Sequence, residues 1–219
     1  RFVPMWDEPS AKATFALEVV IPQGQSAYSN MPVASSAEAN GKQVVRFATS
    51  PRMSSYLLHL TVGDLERISR KAAGVEIGIV TRKGAAEQGR VALDAAVEIL
   101  PWYNDYFGTS YPLPKLDMIA VPGTSQFFGA MENWGAIMYF EQALLMDPQI
   151  SSESDRLNIY DAVAHEMAHQ WFGNLVTMEW WDDLWLNEGY ATWMAEKAAS
   201  TLRSQWNVPL LTVKWPREF

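Results

Sequence analysis

The spacing of apolar residues changes partway along the chain. Up to residue 66, short apolar runs are separated by turn signals such as Pro22-Gln23-Gly24 and Asn40-Gly41, which is typical of strands and hairpins. Residues 67–74 are largely polar and basic and are predicted to form a linker, and a short strand is predicted at Val75–Val80. The N-terminal part of the chain is therefore predicted to be all β.

Helical spacing begins after residue 85, and apolar runs at Leu116–Val121 and Ile137–Phe140 predict further strands between the helices. Ser152 and Asp155 have the spacing of a capping box, with Asp in place of the usual Glu or Gln. The pattern thus predicts an all-β piece joined to an α+β domain. The three predicted helices run from about Val91 to Pro101, from Ser152 to about Phe172 before Gly173-Asn174, and from about Leu184 to Ser200.

Composition narrows the class of protein. The 219 residues are 48% hydrophobic, which supplies a core and excludes a disordered chain. No cysteine is present, so disulfides, iron–sulfur clusters and thiolate zinc sites are excluded. The net charge of −8 argues against nucleic acid as a partner. No apolar run approaches the ~18 residues of a membrane span, so no membrane segment is predicted.

The scarce histidines supply the first candidate chemistry. His165-Glu166-Met167-Ala168-His169 places two imidazoles four residues apart, on one face of the predicted helix, where both can bind one ion. Glu166 is rotated about 100° around the helix, so it can reach a metal-bound water without ligating the metal. Nitrogen ligands without cysteine suit zinc with an open position, where Glu166 would take a proton from water.

A short histidine motif also occurs by chance in ordinary helices, so a third ligand is needed. Asn187-Glu188 opens the last predicted helix, and 18 residues separate His169 from Glu188. Two histidines followed at this distance by Asn-Glu form a specific pattern. The sequence therefore predicts one zinc ion per chain, held by His165, His169 and Glu188.

Three motifs in order make the chain resemble the M1 family of zinc aminopeptidases, of the aminopeptidase N type. They are Gly129-Ala130-Met131-Glu132-Asn133, the zinc motif followed by Trp171-Phe172-Gly173-Asn174, and Trp185-Leu186-Asn187-Glu188-Gly189. Asp7-Glu8-Pro9 and Ser29-Asn30-Met31-Pro32 match as well, so the resemblance covers nearly the whole chain.

The resemblance implies that His165, His169 and Glu188 bind zinc and that Glu166 is the general base. It implies that Glu132 captures the free α-amine of a peptide substrate, which a carboxylate does by a charge-assisted hydrogen bond. Around Glu132, the residues expected to bind substrate are Gly129, Ala130, Met131 and Asn133, with Phe128 bordering the pocket for the first side chain.

The family pattern also requires an oxyanion-stabilising tyrosine downstream of the third ligand, and none fits among the residues after Glu188. The chain is therefore expected to be an incomplete, inactive fragment. Residues 1–66 would be the C-terminal part of the N-terminal β domain, 67–74 the linker, and 75–219 the N-terminal part of a thermolysin-like catalytic domain. The sequence specifies neither compartment nor oligomeric state.

Two other functions remain open at this point. One is a bifunctional relative of leukotriene A4 hydrolase, in which the same zinc opens an epoxide. The other is a non-catalytic zinc module, against which an intact Glu166 argues. Asp182 or Asp183 is either a partner of a zinc-binding histidine or part of a solvated turn, and His59 is interpreted as structural. The tryptophans predicted to pack in the core are Trp180, Trp181, Trp185 and Trp193.

Overall fold

The computed structural model describes residues 3–125, 128–147 and 149–206. Sheets come first and helices follow, so the predicted α+β order is confirmed. The strands are β1 Lys12–Ala13, β2 Glu18–Pro22, β3 Ser26–Ser29, β4 Val33–Ala39, β5 Lys42–Phe47, β6 Met53–Ser54, β7 Leu60–Gly63, β8 Leu65–Ala72, β9 Val75–Arg82, β10 Lys115–Val121, β11 Ala130–Met131 and β12 Ala136–Phe140; the α-helices are α1 Arg90–Phe107, α2 Glu141–Leu144, α3 Glu153–Ala168 and α4 Leu184–Leu202.

The N-terminal strands form small antiparallel sheets in the orders β2-β5-β4, β3-β7 and β1-β6. Asn40 and Gly41 join β4 to β5 with positive φ angles of 52° and 70°, as the hairpin signal predicts. The prediction of an all-β N-terminal part does not hold at residues 55–57, which form a 3₁₀ turn before the extended strand β7.

A five-stranded mixed sheet follows, in the order β11-β12-β10-β9-β8. Strands β9, β10 and β12 are parallel, and the outer strands β8 and β11 are antiparallel to their neighbours. Residues 67–74, predicted as a linker, lie in β8 and in the turn to β9. Strand β8 lies at the edge of the sheet and residues 69–71 are exposed, so its polar and basic composition resembles that of a linker. A domain boundary at this point remains a prediction.

The prediction that helix α1 ends at Pro101 is wrong. The helix continues to Phe107 and is capped by Gly108 with φ 62°. Proline removes one backbone donor from the helix interior. The helix continues because buried residues on both sides of Pro101, Leu100 and Tyr103, pack in the main core. The Tyr103 hydroxyl also donates to the carbonyl of Ala164 at 2.8 Å, which ties α1 to α3.

Helix α3 begins as predicted, since Ser152 and Asp155 form a capping box, but it ends at Ala168 rather than near Phe172. Its buried face, which includes Val163 and Met167, packs against α1 and α4. His165 therefore lies in the last turn of α3, and His169 is its C-terminal cap.

The tryptophan prediction is wrong for three of its four residues. Trp180, Trp185 and Trp193 are 51%, 69% and 46% exposed, whereas Trp181 is partly buried. Small residues such as Ala191 and Ala195 on α4 fill the space between the helices instead. Within the described residues, no helix is long and apolar enough to cross a membrane.

The N-terminal sheets are fastened to the loop that follows β11. The Lys115 ammonium donates to the carbonyls of Ser29 and Gly135, each at 2.7 Å, and lies 2.9 Å from the Asp117 carboxylate. The Asn30 amide donates to the carbonyl of Trp134 at 2.9 Å. Gly135 has φ 75°, and a Cβ there would lie 2.5 Å from the Asn30 carbonyl oxygen, so this approach requires glycine.

His59 gives this region a testable pH dependence. Its Nε2 lies 2.7 Å from the Thr61 hydroxyl, and burial, with a smaller effect of Lys115, lowers its pKa to about 4. An unfolded histidine titrates near ~6.5, so the unfolded chain binds the proton more tightly. Stability from this group is therefore fully present above that pH and is lost as the pH falls toward 4.

We expect His59→Gln to remove about 2–3 kcal/mol of the fall in the free energy of unfolding between neutral pH and pH 4. Glutamine retains a hydrogen-bonding group for Thr61 but does not titrate. Urea unfolding of both proteins across this range measures the difference. Parallel pH profiles for wild type and variant would contradict the assignment.

Candidate metal centre

Three predicted ligands converge in the cleft between α3 and α4. The Nε2 atoms of His165 and His169 are 3.1 Å apart. Oε2 of Glu188, near the start of α4, lies 3.2 Å from the first of these atoms and 3.6 Å from the second. The structure thus brings together the three residues that the motif spacing selected, and the group is able to hold a metal ion.

The other nitrogen of each histidine is occupied. Nδ1 of His169 lies 2.9 Å from Oδ1 of Asn187 and 3.2 Å from the carbonyl of Phe172. Both partners are acceptors, so Nδ1 carries the proton and donates, and Nε2 of a neutral ring presents a bare lone pair to the cleft. Nδ1 of His165 lies 3.4 Å from the Thr192 hydroxyl, which leaves its Nε2 facing the same point.

This donor set fits a cation. A lone pair, a second imidazole nitrogen and a carboxylate oxygen repel one another at these distances unless positive charge lies between them. The pKa of His169 reports the same demand: burial lowers it, but the hydrogen bond to Glu188 and the charges of Glu132 and Glu166 outweigh burial and raise it to about 10. The same histidines hold the pKa of Glu188 well below its usual range, although burial opposes this effect.

Glu166 lies beside the ligands but is not one of the convergent three. Its side chain is buried, and among the described residues Oε2 has no hydrogen-bond partner. Burial raises its pKa, the charge of His169 opposes this shift, and the carboxylates of Glu132 and Glu188 raise the pKa further. A buried carboxylate with a free oxygen next to a candidate cation site is suited to proton transfer.

Glu132 enters the cleft from the end of β11, at the edge of the large sheet. Its carbonyl accepts hydrogen bonds from Gln170 at 3.1 Å and Asn174 at 2.9 Å, both of which follow His169 in sequence. Its carboxylate accepts from the Asn187 amide at 3.2 Å. Ligand atoms of Glu132, Glu166 and His169 all lie within 4.8 Å of one another, so the two motifs form one site.

The neighbours of Glu132 are placed by backbone and side-chain contacts. The Gly129 carbonyl accepts from the Phe140 amide at 3.0 Å, and β11, which consists of Ala130 and Met131, pairs with β12. The Asn133 amide donates to the Leu57 carbonyl at 3.3 Å. Phe128 is 50% exposed and contacts the Phe140 ring, with centroids 5.7 Å apart.

Several residues of the site were not predicted from the sequence. Asn187 and Thr192, rather than Asp182 or Asp183, contact the histidines. The available sequence signal for Asn187 was a side-chain amide directly before the predicted ligand Glu188. Tyr56 had no such signal, because it comes from the 3₁₀ turn of the N-terminal region.

Tyr56 lies against Trp181, with ring centroids 5.0 Å apart, and burial and then the carboxylate of Glu132 raise its pKa. Together with Met131 and Trp181 it lines an open cavity of about 950 Å³ next to the metal centre, which the N-terminal segment also borders at Met5 and Asp7.

The site and the family comparison agree on a class of protein. The profile of the peptidase family M1 domain matches residues 91–217, and that of the peptidase M1 N-terminal domain matches residues 1–57. Two imidazoles and one carboxylate converging on a single point match the ligand set of zinc peptidases of the thermolysin type. The chain belongs to peptidase family M1.

Relatives come from several kingdoms. Aminopeptidase N of Acetobacter pasteurianus is 53% identical over 195 residues, which are 89% of this chain and 55% of that protein. Probable aminopeptidase 2 of Sulfurisphaera tokodaii is 47% identical over 94% of this chain and 26% of its own length. Puromycin-sensitive aminopeptidase of Caenorhabditis elegans is 50% identical over 87% and 20%. The chain thus spans about half of the first relative and about a quarter or less of the other two.

Metal binding is the direct test of this centre. We expect purified protein to bind one divalent metal ion and to unfold at a higher temperature with it, since saturating ligand at ~100 times Kd adds ~2.7 kcal/mol. The His165→Ala/His169→Ala variant should lose both effects, whereas His59→Gln, outside the site, should keep them. Metal analysis and thermal unfolding with and without a chelator measure this. Full occupancy in the double variant would refute the ligand assignment.

Proposed function

We propose that the protein is a zinc-dependent aminopeptidase that removes N-terminal residues from peptides with a free amine. The observation that supports this most directly is the position of Glu132. A second buried carboxylate, beside Glu166 and His169, has no role in an endopeptidase that needs only a metal and a base. It suits an enzyme that must recognise an ammonium group next to the scissile bond.

His165, His169 and Glu188 are the residues that would hold the zinc ion. Two imidazoles and a carboxylate without thiolates match a catalytic zinc site with an open position. When bound, zinc supplies Lewis-acid chemistry to the reacting carbonyl and water. Asn187 and Thr192 orient the two imidazoles by contacts to their Nδ1 atoms.

Glu166 is the proposed general base. It takes a proton from the attacking water and returns it to the leaving amine as the first peptide bond breaks. Its unpartnered Oε2 and its burial support this role, since no donor among the described residues hydrogen-bonds that oxygen. A purely structural zinc module would have no use for such a group.

The loop around Glu132 is the proposed substrate-binding surface. Strand β11 is a sheet edge, so the main-chain groups of Gly129 and Ala130 that do not bond to β12 are available to an extended peptide. Met131 and Asn133 flank Glu132, and Asn133 also anchors the loop to Leu57. Phe128, half exposed and packed on Phe140, would border the pocket for the first side chain.

Activity is proposed to require residues that the longer relatives have beyond the matched region. Tyr190, two positions after the third ligand, packs on Phe172 with ring centroids 4.3 Å apart, within an aromatic cluster rather than among the ligands. The oxyanion-stabilising tyrosine that the resemblance implies is therefore expected outside these 219 residues. Tests of catalytic function therefore require the full-length protein.

Glu166→Gln tests the base. We expect the variant to retain zinc, because the three ligands are untouched, and to lose ~10²–10⁴ in kcat because the proton acceptor is gone. Steady-state hydrolysis of aminoacyl-anilides, with zinc content as the control, gives both numbers. A variant that turns over at nearly the wild-type rate would exclude this role.

Glu132→Ala tests amine recognition. A free α-amine is positively charged below its pKa near ~8, and the loss of a buried charged partner costs ~2–5 kcal/mol. We therefore expect kcat/KM for free-amine substrates to fall by ~30-fold or more, with Glu132→Gln less impaired. Zinc content should stay normal. The measurement is a panel of aminoacyl substrates with free and acetylated termini; equal discrimination by wild type and Glu132→Ala would mean that Glu132 is not the amine anchor.

A further inference from the structure

A single buried side chain contacts both halves of the proposed site. Asn187 is 1% exposed. Its Oδ1 accepts from Nδ1 of His169 at 2.9 Å, and its amide nitrogen donates to Oε1 of Glu132 at 3.2 Å. The carboxylate proposed to bind the amine and the imidazole proposed to bind the metal are therefore joined through one carboxamide.

The local backbone is shaped to allow this bridge. Gly173 has φ 128°, and a Cβ at that position would collide with Oδ1 of Asn187 and crowd Nδ1 of His169. Glu132 is held from its other side as well, because Gln170 and Asn174 fix its main-chain carbonyl. Its backbone and its carboxylate are thus positioned by separate residues, and Asn187 acts on the carboxylate alone.

The chemistry requires an amide at this position. A carboxamide offers one donor and one acceptor on a rigid plane, and here the acceptor faces an N–H while the donor faces a carboxylate. Aspartate would still accept from His169 but would present an oxygen to Glu132, with repulsion in place of the hydrogen bond. An alkyl side chain would remove both contacts and would leave Nδ1 of His169 with only the longer contact to the Phe172 carbonyl.

We propose that Asn187 is a positioning residue that fixes the Glu132 carboxylate at a set distance from the metal ligand His169 and thereby sets the length of substrate between its amine and the reacting carbonyl. This inference rests on the proposed aminopeptidase function. It assigns to Asn187 the alignment of the two sites, in addition to the orientation of one histidine. Because Glu132 would bind the amine equally in the ground state and during reaction, loss of the alignment should appear mainly in KM.

The test uses full-length protein carrying Asn187→Asp, assayed on aminoacyl-anilides with free and acetylated termini. We expect KM for the free-amine substrate to rise at least ~10-fold with kcat changed less than ~3-fold, so that discrimination against the acetylated substrate falls. Zinc loss to a chelator should stay as slow as in wild type, because the acceptor for His169 is retained.

Further variants separate the positioning of Glu132 from a general disturbance of the pocket. Thr192→Val removes only the contact to His165 and should release zinc faster without changing the KM ratio of the two substrates. Asn187→Ala loses both contacts and should show both defects, which keeps the inference testable if Asn187→Asp does not fold. In a Glu132→Gln background, Asn187→Asp should change KM by less than ~2-fold, because the repulsion that it acts through is gone.

An unchanged KM ratio in both Asn187 variants, with wild type discriminating and Glu132→Ala not, would overturn this inference and leave the proposed function standing. An additive effect of Asn187→Asp in the Glu132→Gln background would also overturn it. Wild-type protein that cleaves free and acetylated substrates equally well would instead refute the proposed function itself.

Discussion

The site is organised by the repulsion among three carboxylates that share one cleft. Glu132 follows strand β11, Glu166 lies in α3, and Glu188 lies near the start of α4. Ligand atoms of Glu132 and Glu166 lie within 4.8 Å of one in His169, and a carboxylate oxygen of Glu188 lies 3.6 Å from its Nε2. Bringing them together is unfavourable unless positive charge is supplied, because Glu132 and Glu166 are buried. Under the proposed function, a metal ion and a substrate ammonium would each supply part of that charge, and the repulsion among the carboxylates would favour the binding of both.

Holding such a pocket open requires rigid supports on every side. Gln170 is the clearest support: its amide donates to the carbonyls of Glu132 and Glu166, and its oxygen accepts from the Gly135 amide. One buried side chain therefore connects the helix that carries Glu166 to the loop that carries Glu132. Lys115 and Asn30 hold the far end of that loop against the N-terminal sheets. These polar contacts hold the Glu132 loop between the histidine motif and the N-terminal sheets.

The candidate metal ligands were predictable from sequence because the motif that contains them is local. His165 and His169 are one helical turn apart, and Glu188 lies near the start of the next long helix, after the connection at residues 169–183. The tryptophans near Glu188 were not predictable, because apolar side chains at a helix start do not reveal which face has a partner. The predicted helix end at Pro101 is wrong for a related reason, because tertiary packing outweighs the local helix-breaking tendency of proline. Tyr56 and Asn187 depend on contacts that join distant parts of the chain.

Those long-range contacts make the N-terminal region part of the site rather than a separate module. The turn at residues 55–57 receives the Asn133 side chain at the Leu57 carbonyl, and the same carbonyl accepts from Asn30 at 2.7 Å. From the other side of the cavity, the Trp181 indole donates to the Asp7 carbonyl. The Glu132 loop is therefore held from two sides, by the N-terminal turn at the Leu57 carbonyl and by Gln170 and Asn174 at the Glu132 carbonyl. The Asn187 amide, which contacts both Glu132 and His169, connects this loop directly to the candidate metal ligands.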